Sequence, residues 1–230
     1  MTLHGDAPID EIDAHLAAQG ATVLGSEQLD RTEVATISAS GEQPPIVERT
    51  GSLLRAVWIL DVASRAAAVE LARAAPGGDG TLEIREAYTP QDFGAPGEAV
   101  PPPRTPPVKP GNSRYIALIR QDAVAESSVD PKQESMAMMD AYMEPLVAEG
   151  TILGGQGLKP SARGTRVRRM AKQRSILDGP FTESKELVGG YLIVQARSLD
   201  EAVDLIRPWL RIHRTGQGVP SSAIEVRRLT

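Results

Sequence analysis

The stretch MDAYMEPLVAEGTILGG, residues 139–155, decides the fold because the chain contains its pattern twice. Its counterpart is IDEIDAHLAAQGATVLG, residues 9–25. In both stretches apolar residues recur at helical spacing, a glycine ends the helix and a short apolar strand follows. Further along, GYLIVQARS at 190–198 matches AVWILDVAS at 56–64. Each of these predicts a buried strand that runs into a helix.

A third match, AIEVR at 223–227 with TLEIR at 81–85, follows in the same order and at similar spacing. Three ordered matches predict two copies of one module. The second copy has the element order of a ferredoxin-like sandwich, in which helices cover one face of an antiparallel sheet. The first copy shows no evident opening strand, since its helix begins near Ile9. We expect it to fold with one strand fewer or to take a strand from elsewhere.

A proline-rich segment separates the two copies. Six prolines lie between residues 101 and 110, a density that no helix or central strand tolerates. We therefore predict a first module at 1–97, a linker at 98–111 and a second module at 112–230. Residues 1–111 carry a net charge of −8 and residues 112–230 one of +3. Opposite charge favours docking of the two modules as an internal pseudo-dimer, although drift on solvated surfaces explains it equally well.

Composition excludes several classes of protein. The chain has no cysteine, which excludes disulfides, thiol catalysis and cysteine-ligated zinc and is typical of a cytoplasmic protein. It contains no run of about 18 apolar residues, so we predict no membrane span, and its polar start does not resemble a secretory signal. The three histidines, at 4, 15 and 213, lack metal-ligand spacing. We expect neither a metal nor another cofactor.

The polar loop DGPFTESKEL, residues 178–187, is where we look for chemistry. The simpler interpretation is a tight turn, in which Asp178 caps, Gly179 supplies a positive φ and Pro180 fixes the next φ. A turn needs only the first of its charged residues, whereas Glu183, Lys185 and Glu186 follow closely. Carboxylates beside cations can have shifted pKa values and act as acid or base.

A basic run precedes this loop, with six basic and no acidic residues at 163–174. It invites a nucleic-acid interpretation. A solvated hairpin is favoured instead, because the run has no stacking aromatic residue nearby and the whole chain has a net charge of −5. We do not expect a nucleic-acid partner.

The second half resembles a known family at two motifs. DGPFTESKELVGGY at 178–191 and GTILGGQGLKPS at 150–161 look like the signature of the YCII-related, or DGPF-domain, proteins. The resemblance covers about residues 113–230. A fainter resemblance in the first half rests on LEIR at 82–85 and QDFG at 91–94.

The resemblance implies ferredoxin-like modules that pair through their sheets, as in the dimeric α/β barrels. For most members of the family the function is unknown; a small-molecule enzyme or binding role is usually suspected. Members often accompany bacterial sigma factors of the extracytoplasmic type.

Two departures from the family pattern matter. Aligning Ser64 with Ser198 puts PPIV, residues 44–47, in the place of the DGPF loop, so the first copy has lost its candidate polar groups. Shorter members of the wider family also pair a helix histidine with an aspartate. The matching helix here has only Tyr142 and Asp140, which puts a His–Asp mechanism in doubt.

We weigh three functions. The first is a small-molecule enzyme or ligand-binding protein with a pocket between the sheet and helices of the second half. A cofactor-independent lyase or isomerase would use Asp178 as acid or base. The second is a non-catalytic accessory module that binds another protein, in connection with sigma-factor-dependent transcription; the third is a purely structural pseudo-dimer. We leave open whether the chain also forms a homodimer. The catalytic candidates are Asp178, Tyr142 and His213, and the substrate-binding candidates are Arg166, Arg168, Phe181, Glu183, Lys185 and Glu186.

Overall fold

The computed structural model describes residues 1–40, 44–93, 106–120, 133–170, 173–181, 187–217 and 221–230. These residues form an α+β fold with antiparallel strand pairing. The helices are α1 (Ile9–Ala18), α2 (Arg65–Ala74), α3 (Gln133–Ala148) and α4 (Leu199–Gln217). The strands are β1 (Thr2–Gly5), β2 (Thr22–Ser40), β3 (Ile46–Glu48), β4 (Leu54–Asp61), β5 (Gly80–Ile84), β6 (Ser113–Arg120), β7 (Ile152–Gly157), β8 (Thr165–Met170), β9 (Gln173–Asp178), β10 (Val188–Ala196) and β11 (Ser221–Leu229).

The chain divides into two compact units, and neither is one continuous half of the sequence. Unit 1 comprises Met1–Leu29, Leu53–Pro102 and Lys159–Phe181. Unit 2 comprises Asp30–Ser52, Pro103–Leu158 and Thr182–Thr230. Unit 1 therefore contains β8 and β9 from the second half. Unit 2 contains β3 and the later part of β2 from the first half.

The sheet of unit 1 has the strand order β2, β4, β1, β5, β8, β9. All of these neighbours pair antiparallel. One face of the sheet is covered by α1 and α2, and the core between them includes Leu3, Ile12, Leu16, Trp58 and Leu82. Val167, on β8, is fully buried in the same core. The hairpin from the second half is thus an integral part of this unit.

The sheet of unit 2 has the order β7, β10, β6, β11, β2, with β3 paired to β2. Its core includes Tyr115, Val194, Ile206, Trp209 and Val226, which lie between the sheet and the helices α3 and α4. Unit 1 takes β1, the earlier part of β2, β4 and β5 from the first half, and unit 2 takes β6, β7, β10 and β11 from the second. In both units these four strands lie in the sheet in the order second, third, first, fourth. This order, with helices on one face, is compatible with a ferredoxin-like fold.

Local signals explain why the helices begin and end where they do. The hydroxyl oxygens of Ser64 and Ser198 accept hydrogen bonds from the backbone N–H three residues on, each at 3.2 Å. Both serines therefore act as N-caps, a role in which serine is strongly favoured. Gly20 and Gly150 follow α1 and α3 with φ of 67° and 70°, a conformation that favours glycine.

One expectation about the elements needs correction. The first half does not lack an opening strand, because Thr2–Gly5 forms β1 between β4 and β5. Four residues are too few to show a clear alternating pattern. Pro208 lies inside α4, which runs to Gln217. The linker predicted at 98–111 lies largely outside the described residues, and the module boundaries stay predictions.

In the part of the chain described here, no helix is both long and apolar enough to span a membrane. Within the same residues, no three His, Asp or Glu side chains are grouped as ligands of a metal ion would be.

Candidate functional site

Asp178 lies at the end of β9, directly opposite Thr165 at the start of β8. The Thr165 hydroxyl donates a hydrogen bond of 2.6 Å to Oδ1 of Asp178. Thr165 is 2% exposed, whereas Asp178 lies on the surface. A buried donor therefore holds an exposed carboxylate in one orientation at the end of the sheet of unit 1.

The backbone after Asp178 is fastened to the segment that precedes β8. Gly179 donates its N–H to the carbonyl of Gly164 at 3.0 Å, and Phe181 donates its N–H to Oγ of Ser161 at 3.2 Å. The Gly179–Pro180 peptide bond is cis. We call residues 178–181, with their supports Ser161, Gly164 and Thr165, the Asp178 corner.

Glycine is required at position 179 for a reason other than the one predicted. Gly179 does not have a positive φ, so the expected turn geometry is wrong. A Cβ at this position would lie 1.8 Å from the carbonyl oxygen of Ser161, a distance that no side chain tolerates. Glycine is required here because two backbone segments approach too closely to leave room for a side chain.

A buried charge cluster lies beside Phe181. The guanidinium carbon of Arg166 is 4.1 Å from the centroid of the Phe181 ring, a cation–π contact. Nε of Arg166 is 2.8 Å from Oε2 of Glu83, and Nη1 of Arg85 is 3.2 Å from Oε1 of the same residue. We call Glu83, Arg85 and Arg166 the Glu83 cluster. One carboxylate is shared by two guanidinium groups, and all three side chains are under 10% exposed.

Lys159 extends this cluster toward the surface. Its carbonyl oxygen accepts a hydrogen bond of 3.0 Å from Nε of Arg85, and its ammonium lies 2.8 Å from Oδ1 of Asp92. The hydrogen bond from Lys159, followed by those from Thr89, lowers the pKa of Asp92 to about 2. Lys159 belongs to the motif at 150–161, and Asp92 to the QDFG sequence that ends the first half. Two segments with family-like sequence therefore meet in unit 1.

Unit 2 contains an equivalent cluster around Glu225, the residue that the repeat aligns with Glu83. Oε1 of Glu225 is 2.8 Å from Nε of Arg227, and Oε2 is 2.5 Å from Nη2 of Arg120. Ser52, which comes from the first half, donates its N–H to Oε2 at 2.8 Å. Burial lowers the pKa of Arg227, an effect that Glu225 opposes. In both units one buried glutamate holds two arginines.

The strand register separates two of the predicted substrate-binding residues from Asp178. Side chains alternate across a strand, so Thr165 and its partner Asp178 lie on the same face as the buried Val167. Arg166 and Arg168 lie on the opposite face, where Arg168 is exposed. Phe181, beyond the end of β9, reaches the face of Arg166. The structure therefore joins Phe181 to Arg166 but places the Asp178 carboxylate on the other side of the sheet.

Comparisons with known proteins identify the family. A family model described as the YCII-related domain matches residues 114–209. An uncharacterised protein of Rhizobium meliloti (strain 1021) is 30% identical over 95 residues, which make up 40% of this chain and 77% of that protein. The chain belongs to the YCII-related family. The matched range of this YCII-related protein includes the whole Asp178 corner and both strands of the hairpin β8–β9.

The remaining predicted residues of the YCII-related protein are placed elsewhere or not described. Tyr142 lies on α3 in unit 2, where its hydroxyl donates to the carbonyl of Leu205 and its ring packs against the core. Burial raises its pKa, as expected for a packed tyrosine. The side chain of His213 and all of Glu183, Lys185 and Glu186 lie outside the described residues. Asp178, Arg166 and Phe181 are thus in unit 1, and Tyr142 is in unit 2.

Sequence reasoning missed Glu83, Arg85 and Lys159. A signal for the first two was present, because both halves contain a Glu-x-Arg sequence within a strand that otherwise reads as buried. A charge in a buried strand requires a partner. The repeat of that pattern would have predicted two buried ion-pair clusters.

Proposed function

We propose that this YCII-related protein binds and transforms a small molecule beside the Asp178 corner, with the Asp178 carboxylate as acid or base. The observation that carries the proposal is the combination of exposure and fixed orientation at Asp178. Thr165 holds Oδ1 from a buried position, and the carboxylate itself faces solvent. A general base must be within reach of the proton that it removes and held in place while it does so.

The chemistry that this arrangement supports is proton transfer without a cofactor, as in a lyase or an isomerase. Oδ1 is engaged by Thr165, which leaves the second oxygen of Asp178 for a substrate proton. The backbone hydrogen bonds at Gly179 and Phe181 limit the movement of the loop that carries it. Positioning of this kind lowers the entropic part of a reaction barrier.

Arg166 and Phe181 pack together on the opposite face of the same strand pair, and both side chains are buried. The Arg166 guanidinium is held at one edge by Glu83 and on one face by the Phe181 ring. We propose that this packing supports the loop that carries Asp178.

We also propose that the chain is an internal pseudo-dimer of two ferredoxin-like modules that exchange hairpins. Four pairs of residues support it, because each pair has the same role in its own unit: Ser64 and Ser198, Gly20 and Gly150, Glu83 and Glu225, Arg85 and Arg227. The hairpin β8–β9 pairs with β5, the fourth strand of the first half. The later part of β2, with β3, joins β11, the fourth strand of the second half.

The test is ligand capture with matched variants. The immobilised protein is incubated with the small-molecule fraction of a bacterial extract, and the bound compounds are compared by mass spectrometry between the wild type, Asp178→Asn and Asp204→Asn. Asp204 is an exposed carboxylate on α4, paired with Arg207, and serves as the control. We expect a compound that is retained by the wild type and by Asp204→Asn but reduced at least about tenfold by Asp178→Asn. Equal retention of every compound by all three proteins would show that Asp178 is not part of the binding site.

A further inference from the structure

The strand β9 is exposed along its whole length. All six residues from Gln173 to Asp178 lie on the surface. Among the described residues β9 pairs only with β8, and within that part of the chain no strand pairs with the backbone N–H and C=O groups of its other edge. The side chains of Ile176 and Leu177 are 49% and 55% exposed, and Met170 on the adjoining strand is 62% exposed. An apolar edge strand of this kind is a template for pairing with another chain.

The side chains on one face of β9 are complementary to themselves. Arg174, Ile176 and Asp178 share a face because they are two residues apart. Arg174 and Asp178 lie at equal distances in sequence on either side of Ile176. When two copies of this strand pair antiparallel about Ile176, each Arg174 lies opposite Asp178 of the second copy. The two Ile176 side chains then lie opposite each other.

We propose that two copies of the protein associate through β9 in this register. Cross-strand pairs of opposite charge and of β-branched residues both stabilise antiparallel sheets. On the other face the same register places Ser175 opposite Leu177, so no like charges are brought together. Pairing about the bond between Ser175 and Ile176 would instead place each Arg174 opposite Leu177 and leave the charges unmatched. The charge pattern therefore selects both the occupant, a second copy, and its register.

Arg174 lies on the face of the sheet that this contact requires. Its guanidinium donates to the carbonyls of Arg73 and Ala75 at the C-terminal end of α2, the latter at 3.3 Å. It therefore lies on the helix-covered face of the sheet, the face that also carries Asp178. A guanidinium has five N–H donors, so these contacts leave donors for a carboxylate.

The second copy would thus add a cation beside each Asp178. This association does not depend on the proposed function, since it concerns the free edge of β9 and needs no ligand. A six-residue edge buries less area than a standard stable interface of about 1,600 Å², so we expect a reversible dimer with a Kd of roughly 10–100 µM.

Sedimentation velocity over a range of concentrations tests the register. The full-length protein is compared with Ile176→Lys, Arg174→Asp, Asp178→Arg and the double variant Arg174→Asp/Asp178→Arg, all without ligand. Ile46→Lys is the control, because Ile46 is another exposed isoleucine, at 59%, on the short strand β3. Melting curves confirm that each variant is folded at the temperature of measurement.

We expect each of the three single changes in β9 to weaken association at least about tenfold, or about 1.4 kcal/mol. The double variant exchanges the two charges and should restore the wild-type Kd to within about threefold, while Ile46→Lys leaves it unchanged. The proposal is overturned by a wild type that stays monomeric up to about 1 mM, well above the expected Kd. A dimer that is unaffected by Ile176→Lys, or a double variant that remains monomeric, overturns it equally. A wild-type protein that dimerises as expected but retains no compound in the ligand-capture test would count against the proposed function alone.

Discussion

Arg166 and Glu83 form a buried ion pair with Nε 2.8 Å from Oε2, although they are 83 positions apart in the chain. The pair joins β8, from the second half, to β5, from the first. It stands directly under the Phe181 ring that ends the Asp178 corner. The support of the candidate site therefore comes from both halves of the sequence.

This cluster should contribute strongly to stability. Glu83→Gln would remove the buried carboxylate that Arg85 and Arg166 share, and breaking a buried ion pair in this way typically costs about 3–5 kcal/mol. We expect a loss of about 3 kcal/mol in the free energy of unfolding measured with urea. Asp204→Asn, which removes an exposed ion pair, should change it by less than about 0.5 kcal/mol. Similar effects from the two variants would show that the Glu83 cluster is not energetically important.

Gly179 should not tolerate even a methyl group. The Cβ of Gly179→Ala would lie 1.8 Å from the Ser161 carbonyl oxygen, so the two backbone segments must separate. We expect a loss of about 3 kcal/mol or more, at the upper end of overpacking effects. Gly154→Ala is the matched control, because a Cβ there has no atom within 4 Å. Thermal unfolding of both variants decides the point, and a Gly179→Ala protein as stable as Gly154→Ala would contradict the geometry of the corner.

Asp178→Asn should separate function from folding. Asparagine keeps an oxygen that accepts the Thr165 hydrogen bond, and it has nearly the same shape as aspartate. We expect a stability loss of at most about 1 kcal/mol, the scale of one ordinary hydrogen bond. Turnover or ligand binding per folded molecule should fall at least about tenfold. A variant that melts far lower yet binds normally would identify Asp178 as a structural residue of the corner.

Tyr115 should make the stability of unit 2 sensitive to high pH. Its ring is 1% exposed, and burial, together with the hydrogen bond of 2.8 Å to Glu33, raises the pKa of its hydroxyl to about 12. The folded state therefore favours the neutral phenol. The resulting stabilisation is complete below pH 10, the usual pKa, and is lost as the pH rises toward 12. The difference in unfolding free energy between the wild type and Tyr115→Phe, measured at pH 8 and pH 11, should shrink by about 1 kcal/mol at the higher pH. A difference independent of pH would contradict this assignment.

The proposed exchange of hairpins predicts the behaviour of the separated halves. Fragment 1–105 lacks β8 and β9 and would expose Glu83 and Arg85 at the edge of β5. Fragment 106–230 lacks the later part of β2, with β3, and would expose Glu225 in the same way. We expect neither fragment to unfold cooperatively alone, because each has a buried charge cluster that is incomplete. Mixing the two should restore a cooperative transition by circular dichroism; a single fragment with a sharp transition of its own would argue against the exchange.

Much of the secondary structure could be predicted from the sequence because its signals are local. The serine caps at 64 and 198, the glycine after α1 and the apolar strands such as β10 depend on a few adjacent residues. The strand Thr2–Gly5 was missed because four residues are too few to show the alternation of apolar and polar side chains that indicates a strand.

The pairing of β8 with β5 could not be predicted from local sequence signals. A strand with the single buried apolar residue Val167 fits any partner with one buried face, and the choice depends on residues of β5, which are far away in the sequence. For the same reason Glu83 could not be predicted as a neighbour of the candidate residues. Arg166 and Phe181, both named as substrate-binding candidates, contact each other, but Glu83, which binds Arg166, lies in the first half.

The place of β8–β9 in unit 1 changes how the first half of the chain should be understood. Its own loop, PPIV at 44–47, has none of the polar residues of the DGPF sequence, yet its strand β5 carries the hairpin on which that sequence stands. Selection on the proposed site would therefore act on both halves of the chain: on the second through the loop that carries Asp178, and on the first through the strand that supports it. A substitution in β5 would then weaken the proposed activity without changing any residue of the range 114–209 that matches the family.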